Sequence, residues 1–305
     1  MSEAVPVLVN GGGGTAKARG DALRGDIEVA FAASGVAIDL RLLDGCDIAA
    51  AVGELSDRQL VVVGGGDGTL GCAAQALVDG AKGKGGATLG ILPLGTRNHL
   101  ALELGIPADL AAAATLIAGG TTRRIDLARV NGHAFINNAS VGFYPQLVRE
   151  REGISLPKKL AAIPATARAL GRMRHHRLRL TRSGEESEVV TPMLFVGNNR
   201  YTLDAGHLGE RAALDGGVLS IYAVASRRRL ALIGFALRML VGRADPDKDF
   251  AAIGEAAKLT VTGRSHHLDI ALDGEVMRMA MPLAFTIEPG ALTVVAPLEG
   301  EPASA

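Results

Sequence analysis

The sequence has few of the features that mark secreted, disulfide-bonded or membrane-spanning proteins. Its two cysteines, Cys46 and Cys72, are too few for a disulfide framework and predict buried thiols in a reducing compartment. The first residues do not form a basic segment followed by an apolar one, so no signal peptide is expected. No apolar run reaches the roughly 18 residues that a membrane-spanning helix needs. A cytoplasmic protein is therefore expected, with any membrane contact peripheral at the inner face of the membrane.

Tryptophan is absent, and the formal net charge is zero. A chain without a charge surplus gives no indication of a nucleic-acid partner. The hydrophobic fraction of 48% over 305 residues is ample for packed cores and predicts two domains.

The first part of the chain alternates strand and helix patterns. Short apolar runs predict strands over Val5–Val9, Ile38–Leu42, Leu60–Val63 and Thr88–Leu92. Helical patterns follow them over Ala16–Ala33, Asp47–Leu55, Leu70–Val78 and Ala108–Ile117. This order is typical of an α/β domain with a parallel sheet, and we place it at residues 1–124.

Two of the strands run directly into glycine-rich turns, Gly11–Thr15 and Gly65–Thr69. Glycine lets the backbone approach a ligand closely, and N–H groups at a following helix start attract anions. Asp67 repels a phosphate unless a metal ion or a hydroxyl donor separates them. The pattern therefore favours a nucleotide phosphate, Mg²⁺ and an acid, although a purely structural turn explains the glycines equally well.

Beyond residue 124 short strand patterns follow one another without long helices between most of them. This pattern is typical of an antiparallel sandwich, placed at residues 125–297, with a fraying tail at 298–305. The strands are expected over Ile125–Val130, Ala134–Val141, Leu178–Arg182, Glu188–Thr191, Met193–Gly197, Leu219–Ala223, Lys258–Thr262, Leu268–Leu272, Leu283–Ile287 and Leu292–Val295. Exposed sandwich edges make a homodimer a reasonable expectation.

The segment Arg151–Arg182 carries nine Lys and Arg residues against the single acid Glu152. Its apolar residues recur at helical spacing, so part of it is predicted to form a basic amphipathic helix. Such a helix suits an anionic bilayer surface. A solvated helix that packs on its own sheet is the alternative.

Three short motifs give a resemblance to a known family. The string Gly65-Gly66-Asp67-Gly68-Thr69 closely resembles the GGDGT signature of the diacylglycerol kinase catalytic-domain family, and it also occurs in NAD kinases. The string from Pro93 to Ala101 resembles that family's second signature. Asp273-Gly274-Glu275 resembles the third. The resemblance covers nearly the whole chain and implies a Rossmann-like N-terminal domain of NAD kinase/diacylglycerol kinase type before a C-terminal β-sandwich.

By this resemblance, the nucleotide is ATP and its contacts come from three turns. These residues are Asn10, Gly11, Gly12, Gly13, Gly14, Thr15, Gly65, Gly66, Asp67, Gly68, Thr69, Gly95, Thr96 and Asn98. The chain departs from the usual pattern at His99, where many members have an Asp that organises a metal–water network. As pure structure, Thr96 or Asn98 caps the next helix, and His99 caps or packs.

The resemblance also implies catalytic and metal-binding residues. Asp67 would hold Mg²⁺, and Glu275 would take the proton from a substrate hydroxyl, with Asp273 as the rival for that role. A hairpin turn is the structural alternative for these last two residues. A second Mg²⁺ away from the nucleotide would bind Asp215 and the carbonyls of Ala212 and Gly217, where a simple turn is again the alternative.

The expected function is ATP-dependent phosphorylation of a lipid hydroxyl, such as that of diacylglycerol. Two alternatives stay open. One is an NAD kinase-like enzyme, and the other is a non-catalytic lipid- or nucleotide-binding protein. The second alternative is motivated by His99, by the altered first loop and by Leu43 or Asp44 where relatives have a nucleotide-contacting Thr.

Overall fold

The computed structural model describes residues 3–81, 86–152, 168, 171, 173–201, 211, 213–224 and 250–298. Two compact units make up the chain. The first contains the residues up to Leu127 together with those from Pro289 onward, and the second is Ala128–Glu288. No helix of the described ranges is both long and apolar enough to cross a bilayer.

The first unit is built on parallel strands, as the alternating pattern predicts. They are β1 Val5–Asn10, β2 Ile38–Leu43, β3 Leu60–Gly65 and β4 Thr88–Pro93. In the sheet these strands run in the order β2-β1-β3-β4, with Leu8 opposite both Arg41 and Val63. β4 ends at Pro93, which has no N–H to continue the ladder.

In the described residues, six helices accompany these strands. They are α1 Gly14–Arg19, α2 Ala22–Ala33, α3 Gly45–Glu54, α4 Asp67–Ala81, α5 His99–Glu103 and α6 Leu110–Gly119. The single helix predicted over Ala16–Ala33 was wrong, because Gly20 takes a φ of 56° and ends α1. Leu23, Ile27 and Phe31 then recur at helical spacing on α2 and are fully buried in the core of this unit.

The second unit is an antiparallel sandwich, as predicted. The remaining elements are β5 Thr122–Val130, β6 His133–Phe135, β7 Asn138–Gly142, α7 Phe143–Glu152, β8 His176–Arg182, β9 Glu185–Thr191, β10 Met193–Asn198, β11 Leu219–Val224, β12 Phe250–Ala256, β13 Lys258–Gly263, β14 His267–Leu272, β15 Glu275–Ala280 and β16 Leu283–Val295. One sheet has the order β12-β11-β10-β7-β14-β15. In the other, β13 pairs with both β8 and β16, and β8 pairs with β9.

Some sandwich strands differ from the expected ones. The strand predicted over Ala134–Val141 is divided into β6 and β7, and the two strands predicted after Leu283 form the single strand β16. The predicted boundary of 125–297 also differs from the observed division. The end of β16 belongs to the first unit, where Val294 pairs with Leu89 of β4.

Three hairpins of the second unit close through two-residue turns. Their central pairs are Asn131-Gly132, Ser183-Gly184 and Asp273-Gly274, and φ is positive at both residues of each pair. Positive φ at both positions is the condition for a type I′ turn, whose twist matches that of the flanking strands.

Candidate nucleotide-binding and catalytic site

We number the turns of the first unit by the strand that each one follows. The first turn, after β1, and the third turn, after β3, are joined by a hydrogen bond. Since β1 and β3 are parallel neighbours, their carboxyl ends lie at the same edge of the sheet. There the Asn10 side-chain amide donates to Thr69 Oγ1 over 2.9 Å, while its own oxygen accepts from the N–H of Gly12 over 3.0 Å. Asn10 therefore fixes the two predicted phosphate-binding turns against each other.

The third and fourth turns approach each other so closely that side chains are excluded. A Cβ on Gly95 would lie 2.4 Å from Cα of Gly66, and one on Gly65 would lie 2.6 Å from Cβ of Thr69. α4 begins right after this contact, at Asp67, and its first N–H groups lack intrahelical partners. The glycines thus allow tight packing of the turns at the start of a 15-residue helix, where the backbone favours an anion.

Asp67 belongs to the third turn and also holds the fourth turn in place. Its two carboxylate oxygens accept from the N–H groups of His99 and Leu100, each over 3.1 Å. Asp67 therefore caps α5 from 32 residues away in the sequence. The residue is half-buried, so its remaining lone pairs can meet a ligand or metal ion.

The predicted capping roles in the fourth turn were wrong. Asn98 has a φ of 51°, and its side chain makes no cap. Its oxygen accepts from the N–H of Gly95 over 2.8 Å, and its amide donates to the carbonyls of Pro93 and Gly95. Thr96 and His99 are exposed, and the helix takes its cap from Asp67 instead.

In the first turn, the structure describes only backbone groups. Gly11, Gly12 and Gly13 lie between β1 and α1, and α1 begins with Gly14 and Thr15. The side chain of Thr15 lies outside the described residues. Gly68 lies in the first turn of α4.

In the second unit, Asp273 is the centre of a set of backbone hydrogen bonds. Its carboxylate accepts from the N–H groups of Ile136, Asn137 and Asn138 over 2.8, 2.8 and 3.1 Å. Burial raises the pKa of Asp273 to about 6, although these three N–H groups and the charge of Arg211 act in the opposite direction. The same contacts explain why the chain breaks between β6 and β7, since residues 136 and 137 turn toward Asp273.

Arg211 is a buried part of this arrangement that the sequence patterns did not indicate. Its guanidinium donates to the carbonyls of Ile136 and Asn198 and to the side-chain oxygen of Asn137. Tyr201 adds a hydrogen bond from its hydroxyl to the carbonyl of Asn137 over 3.1 Å. A single arginine gives no periodic signal, and its partners Ile136 and Asn137 are more than 70 residues away along the chain.

Glu275 differs from Asp273 in its exposure and in its hydrogen bonding. It is the first residue of β15, it is exposed, and its carboxylate has no hydrogen-bond or ion-pair partner in the described part of the chain. Of the two acids in this motif, one is therefore enclosed by backbone donors and the other is open to a ligand.

The residues predicted for a second metal ion are only partly described. Asp215 is exposed, Gly217 has a φ of 69°, and Ala212 lies outside the described residues. The described ranges contain no group of three or more His, Cys, Asp or Glu side chains placed to hold a metal ion. A site here would depend on one carboxylate and backbone carbonyls.

Two further expectations have different outcomes. Most of the predicted basic helix within Arg151–Arg182 lies outside the described residues, apart from α7 at its start and β8 at its end. The expectation of buried thiols was wrong. Both cysteines are exposed, because Cys46 lies near the start of α3 and Cys72 faces outward from α4.

Comparison with known families decides the relationship. Residues 4–130 match the family described as diacylglycerol kinase catalytic domain. Residues 141–296 match the family described as YegS C-terminal NAD kinase beta sandwich-like domain. The chain belongs to the family of YegS-like lipid kinases with a diacylglycerol kinase catalytic domain.

Similar proteins carry names that agree with this membership. The chain is 34% identical over 240 residues to a protein named "Probable lipid kinase YegS-like" from Pseudomonas aeruginosa, covering 78% of this chain and 76% of that protein. It is 31% identical over 271 residues to one of the same name from Pseudomonas savastanoi pv. phaseolicola, covering 87% and 86%. These matches make this chain a member of a kinase family.

Solved structures show the same fold. A diacylglycerol kinase from Bacillus anthracis matches with a TM-score of 0.67 at 21% identity, covering 97% of each chain. Yeast NADH kinase matches with a TM-score of 0.52 at 12% identity, covering 98% of this chain and 85% of that one. The α/β domain followed by a β-sandwich is therefore shared with both kinds of kinase.

Proposed function

We propose that this protein is an ATP- and Mg²⁺-dependent lipid kinase that transfers the γ-phosphoryl group to the hydroxyl of a lipid such as diacylglycerol. The observation that carries the proposal is the edge of the parallel sheet in the first unit. There Asn10 joins two turns, and the backbones of Gly66 and Gly95 meet without side chains at the start of α4. The names of the relatives support the lipid class of the acceptor.

The nucleotide phosphates would be held mainly by backbone. The N–H groups at the start of α4 supply donors without a desolvated side-chain charge, and the α4 dipole adds to the attraction. In the first turn only Gly14 and Thr15 would add donors, because the N–H groups of residues 11–13 already donate to Leu43 and Asn10. Gly95, Thr96 and Asn98 extend the same edge, with Asn98 occupied in shaping the turn. A Cβ at Gly95 would collide with the backbone of Gly66, and one at Gly65 with the side chain of Thr69, so both glycines are needed for the shape of this edge.

Asp67 is the residue that we propose to hold Mg²⁺, directly or through water. Oxygen ligands of a carboxylate suit this hard cation, which would neutralise charge on the transferred phosphoryl group. The hydrogen bonds that Asp67 accepts from two backbone N–H groups keep its carboxylate in one orientation, and the residue stays half-exposed. His99 then contributes its backbone N–H to this site rather than a metal-organising side chain.

Glu275 is the proposed general base for the acceptor hydroxyl, and Asp273 the residue that positions it. Both oxygens of Asp273 already accept backbone N–H groups, so they are poorly available for a substrate proton. Glu275 has an exposed carboxylate two residues further on, at the start of β15. Phosphoryl transfer asks little covalent chemistry of a protein, so positioning and charge neutralisation carry most of the acceleration.

Three finer proposals complete the picture. Asp215, with the carbonyls of Ala212 and Gly217, would bind a second, structural Mg²⁺. The enzyme would be cytoplasmic and would bind peripherally to the inner face of the membrane, where its lipid acceptor lies. The basic residues of Arg151–Arg182 would contact anionic lipid there. A homodimer would cover exposed sandwich edges.

The test is incubation with γ-labelled ATP, Mg²⁺ and a total lipid extract, with NAD as a parallel acceptor. We expect label in a lipid that carries a free hydroxyl, no transfer to NAD, and loss of transfer when Mg²⁺ is chelated. Label in NAD instead would assign the chain to nicotinamide nucleotide phosphorylation. ATP binding without transfer to any acceptor would make it a binding protein.

A further inference from the structure

The second unit contains a cavity that the proposed reaction does not use. It has a volume of about 230 Å³ and is lined by residues from α7, the start of β8 and the β14–β15 hairpin, among them Gln146, His176, Asp269 and Arg278. A water molecule occupies about 30 Å³ of liquid, so the cavity holds several waters or one small ligand.

Two buried polar atoms of this cavity have no hydrogen-bond partner in the part of the chain that the structure describes. They are the side-chain oxygen of Gln146 and Nε2 of His176. Buried polar atoms are paired in most proteins, because leaving one unpaired costs about 1–3 kcal/mol. An amide oxygen accepts a hydrogen bond, and imidazole Nε2 donates one in the tautomer that carries its proton there. A bound molecule that satisfies both atoms in that tautomer presents a hydroxyl and an oxygen acceptor.

The charges around the cavity favour a negative ligand. Arg278 is exposed, and its guanidinium has no hydrogen-bond or ion-pair partner among the described residues. The carboxylate of Asp269 is already compensated, since Arg149 donates to both of its oxygens over 2.6 and 3.0 Å. Burial, together with neighbouring His175 and Arg174, lowers the pKa of His176, which keeps its imidazole neutral at pH 7. The uncompensated charge is therefore the cation of Arg278, and guanidinium pairs well with phosphate oxygens.

We propose that this cavity binds a phosphate group that carries or adjoins a hydroxyl. Arg278 pairs with the phosphate oxygens, His176 Nε2–H donates to one of them, and the hydroxyl donates to the side-chain oxygen of Gln146. A free phosphate ester of a small polyol and the headgroup of a hydroxylated anionic phospholipid share this chemistry.

The cavity and the proposed base lie at different positions along the hairpin. Leu272 pairs with Glu275 at the turn, whereas the cavity-lining residues Asp269 and Arg278 pair three positions further along. Three residues of strand span roughly 10 Å at 3.3 Å per residue, and residues three apart on a strand point to opposite faces of the sheet. The cavity is therefore a different site from the one that Glu275 would occupy.

The experiment measures binding in three arms by titration of the full-length protein. The probes are inorganic phosphate, glycerol 3-phosphate, and vesicles of phosphatidylglycerol compared with vesicles of phosphatidylcholine. The variants are R278Q and Q146L, with R264Q as the matched control, because Arg264 lies just before β14 and is also an exposed arginine with no partner among the described residues. Imidazole NMR shifts of His176 report on the cavity itself rather than on the nucleotide site.

We expect at least one probe to move the His176 resonances in the wild-type protein and in R264Q. We expect R278Q to weaken that binding about tenfold, and Q146L by a smaller factor. Binding of glycerol 3-phosphate but not of vesicles identifies a soluble ester, and the reverse identifies a lipid headgroup. Unmoved His176 resonances with every probe, or equal losses in R278Q and R264Q, would overturn the proposal. Neither result bears on phosphate transfer from ATP.

Discussion

Two hairpins of the sandwich unit have the same backbone and different surroundings. The β8–β9 hairpin turns at Ser183 and Gly184, with φ values of 49° and 87°. The β14–β15 hairpin turns at Asp273 and Gly274, with φ values of 48° and 94°. In each, an exposed glutamate, Glu185 or Glu275, is the first residue of the second strand.

The difference lies in what the first turn residue contacts. Ser183 is exposed, and its hydroxyl makes no hydrogen bond within the described residues. Asp273 accepts three backbone N–H groups that lie about 135 residues away along the chain, and burial raises its pKa to about 6. A simple turn therefore explains the glycine and the backbone of both hairpins, but it does not explain Asp273. The Ser183 hairpin is a control for every test of the other.

The largest expected contrast is in turnover. If Glu275 is the general base, E275Q lowers kcat roughly 10²–10⁴-fold, while E185Q leaves it unchanged. Both glutamates are exposed, so neither change alters the melting temperature appreciably. Steady-state phosphorylation of a lipid extract, with thermal unfolding of each variant, measures this. Equal turnover in E275Q and E185Q would remove Glu275 from the mechanism.

The next contrast is in stability. D273A leaves the N–H groups of Ile136, Asn137 and Asn138 without their acceptor, which costs about 3 kcal/mol of unfolding free energy. S183A introduces the same alanine at the same positive φ and costs at most about 1 kcal/mol. Urea unfolding at pH 7 measures both. Similar losses in the two variants would show that the carboxylate contacts contribute little.

Alanine at the two glycines should cost the same in both hairpins. G184A and G274A each place a Cβ at a positive φ with no atom within 4 Å, so strain alone acts. We expect each to lose about 1 kcal/mol, with less than about 0.5 kcal/mol between them. Only G274A should also reduce kcat, since it shifts the start of β15. Equal kcat in the two variants would argue that the geometry of the Asp273 turn is unimportant for turnover.

The smallest effect is a pH dependence peculiar to Asp273. Its pKa is raised from 3.8 to about 6 in the folded protein, so the fold retains a proton that the unfolded chain releases between about pH 4 and 6. Its contribution to stability therefore falls as pH rises through that interval and is constant above it. The difference in unfolding free energy between wild type and D273N, followed from pH 4.5 to 7.5, should show this slope. A flat difference would contradict the raised pKa, and S183A should show no slope relative to wild type.

Local patterns were sufficient for much of the fold. Runs of β-branched residues and glycine-rich turns predicted the four parallel strands of the first unit, and Pro93 marked the end of β4. The helical pattern around Gly20 does not predict a helix break there, because glycine within such a pattern is often tolerated. Short-range patterns also failed to show that β16 is one long strand shared by both units.

Motif similarity predicts which residues form the candidate site, but not their contacts. It singles out Asp67, Asp273 and Glu275 as candidates, but nothing local indicates that Asp67 caps α5 across 32 residues. The contacts of Asp273 with Ile136–Asn138 and the burial of Arg211 likewise arise only in the folded chain. Such long-range hydrogen bonds depend on topology, so no spacing rule reveals them.

One paired measurement tests the central claim most directly. Wild-type protein and D67A are each incubated with γ-labelled ATP, Mg²⁺ and lipid extract, and the labelled lipid is counted. We predict labelled lipid with the wild type and at least a roughly hundredfold loss with D67A, while the lost helix cap lowers stability by only about 1 kcal/mol. Unchanged labelling by a folded D67A, or no labelled lipid from the wild type, would contradict the account.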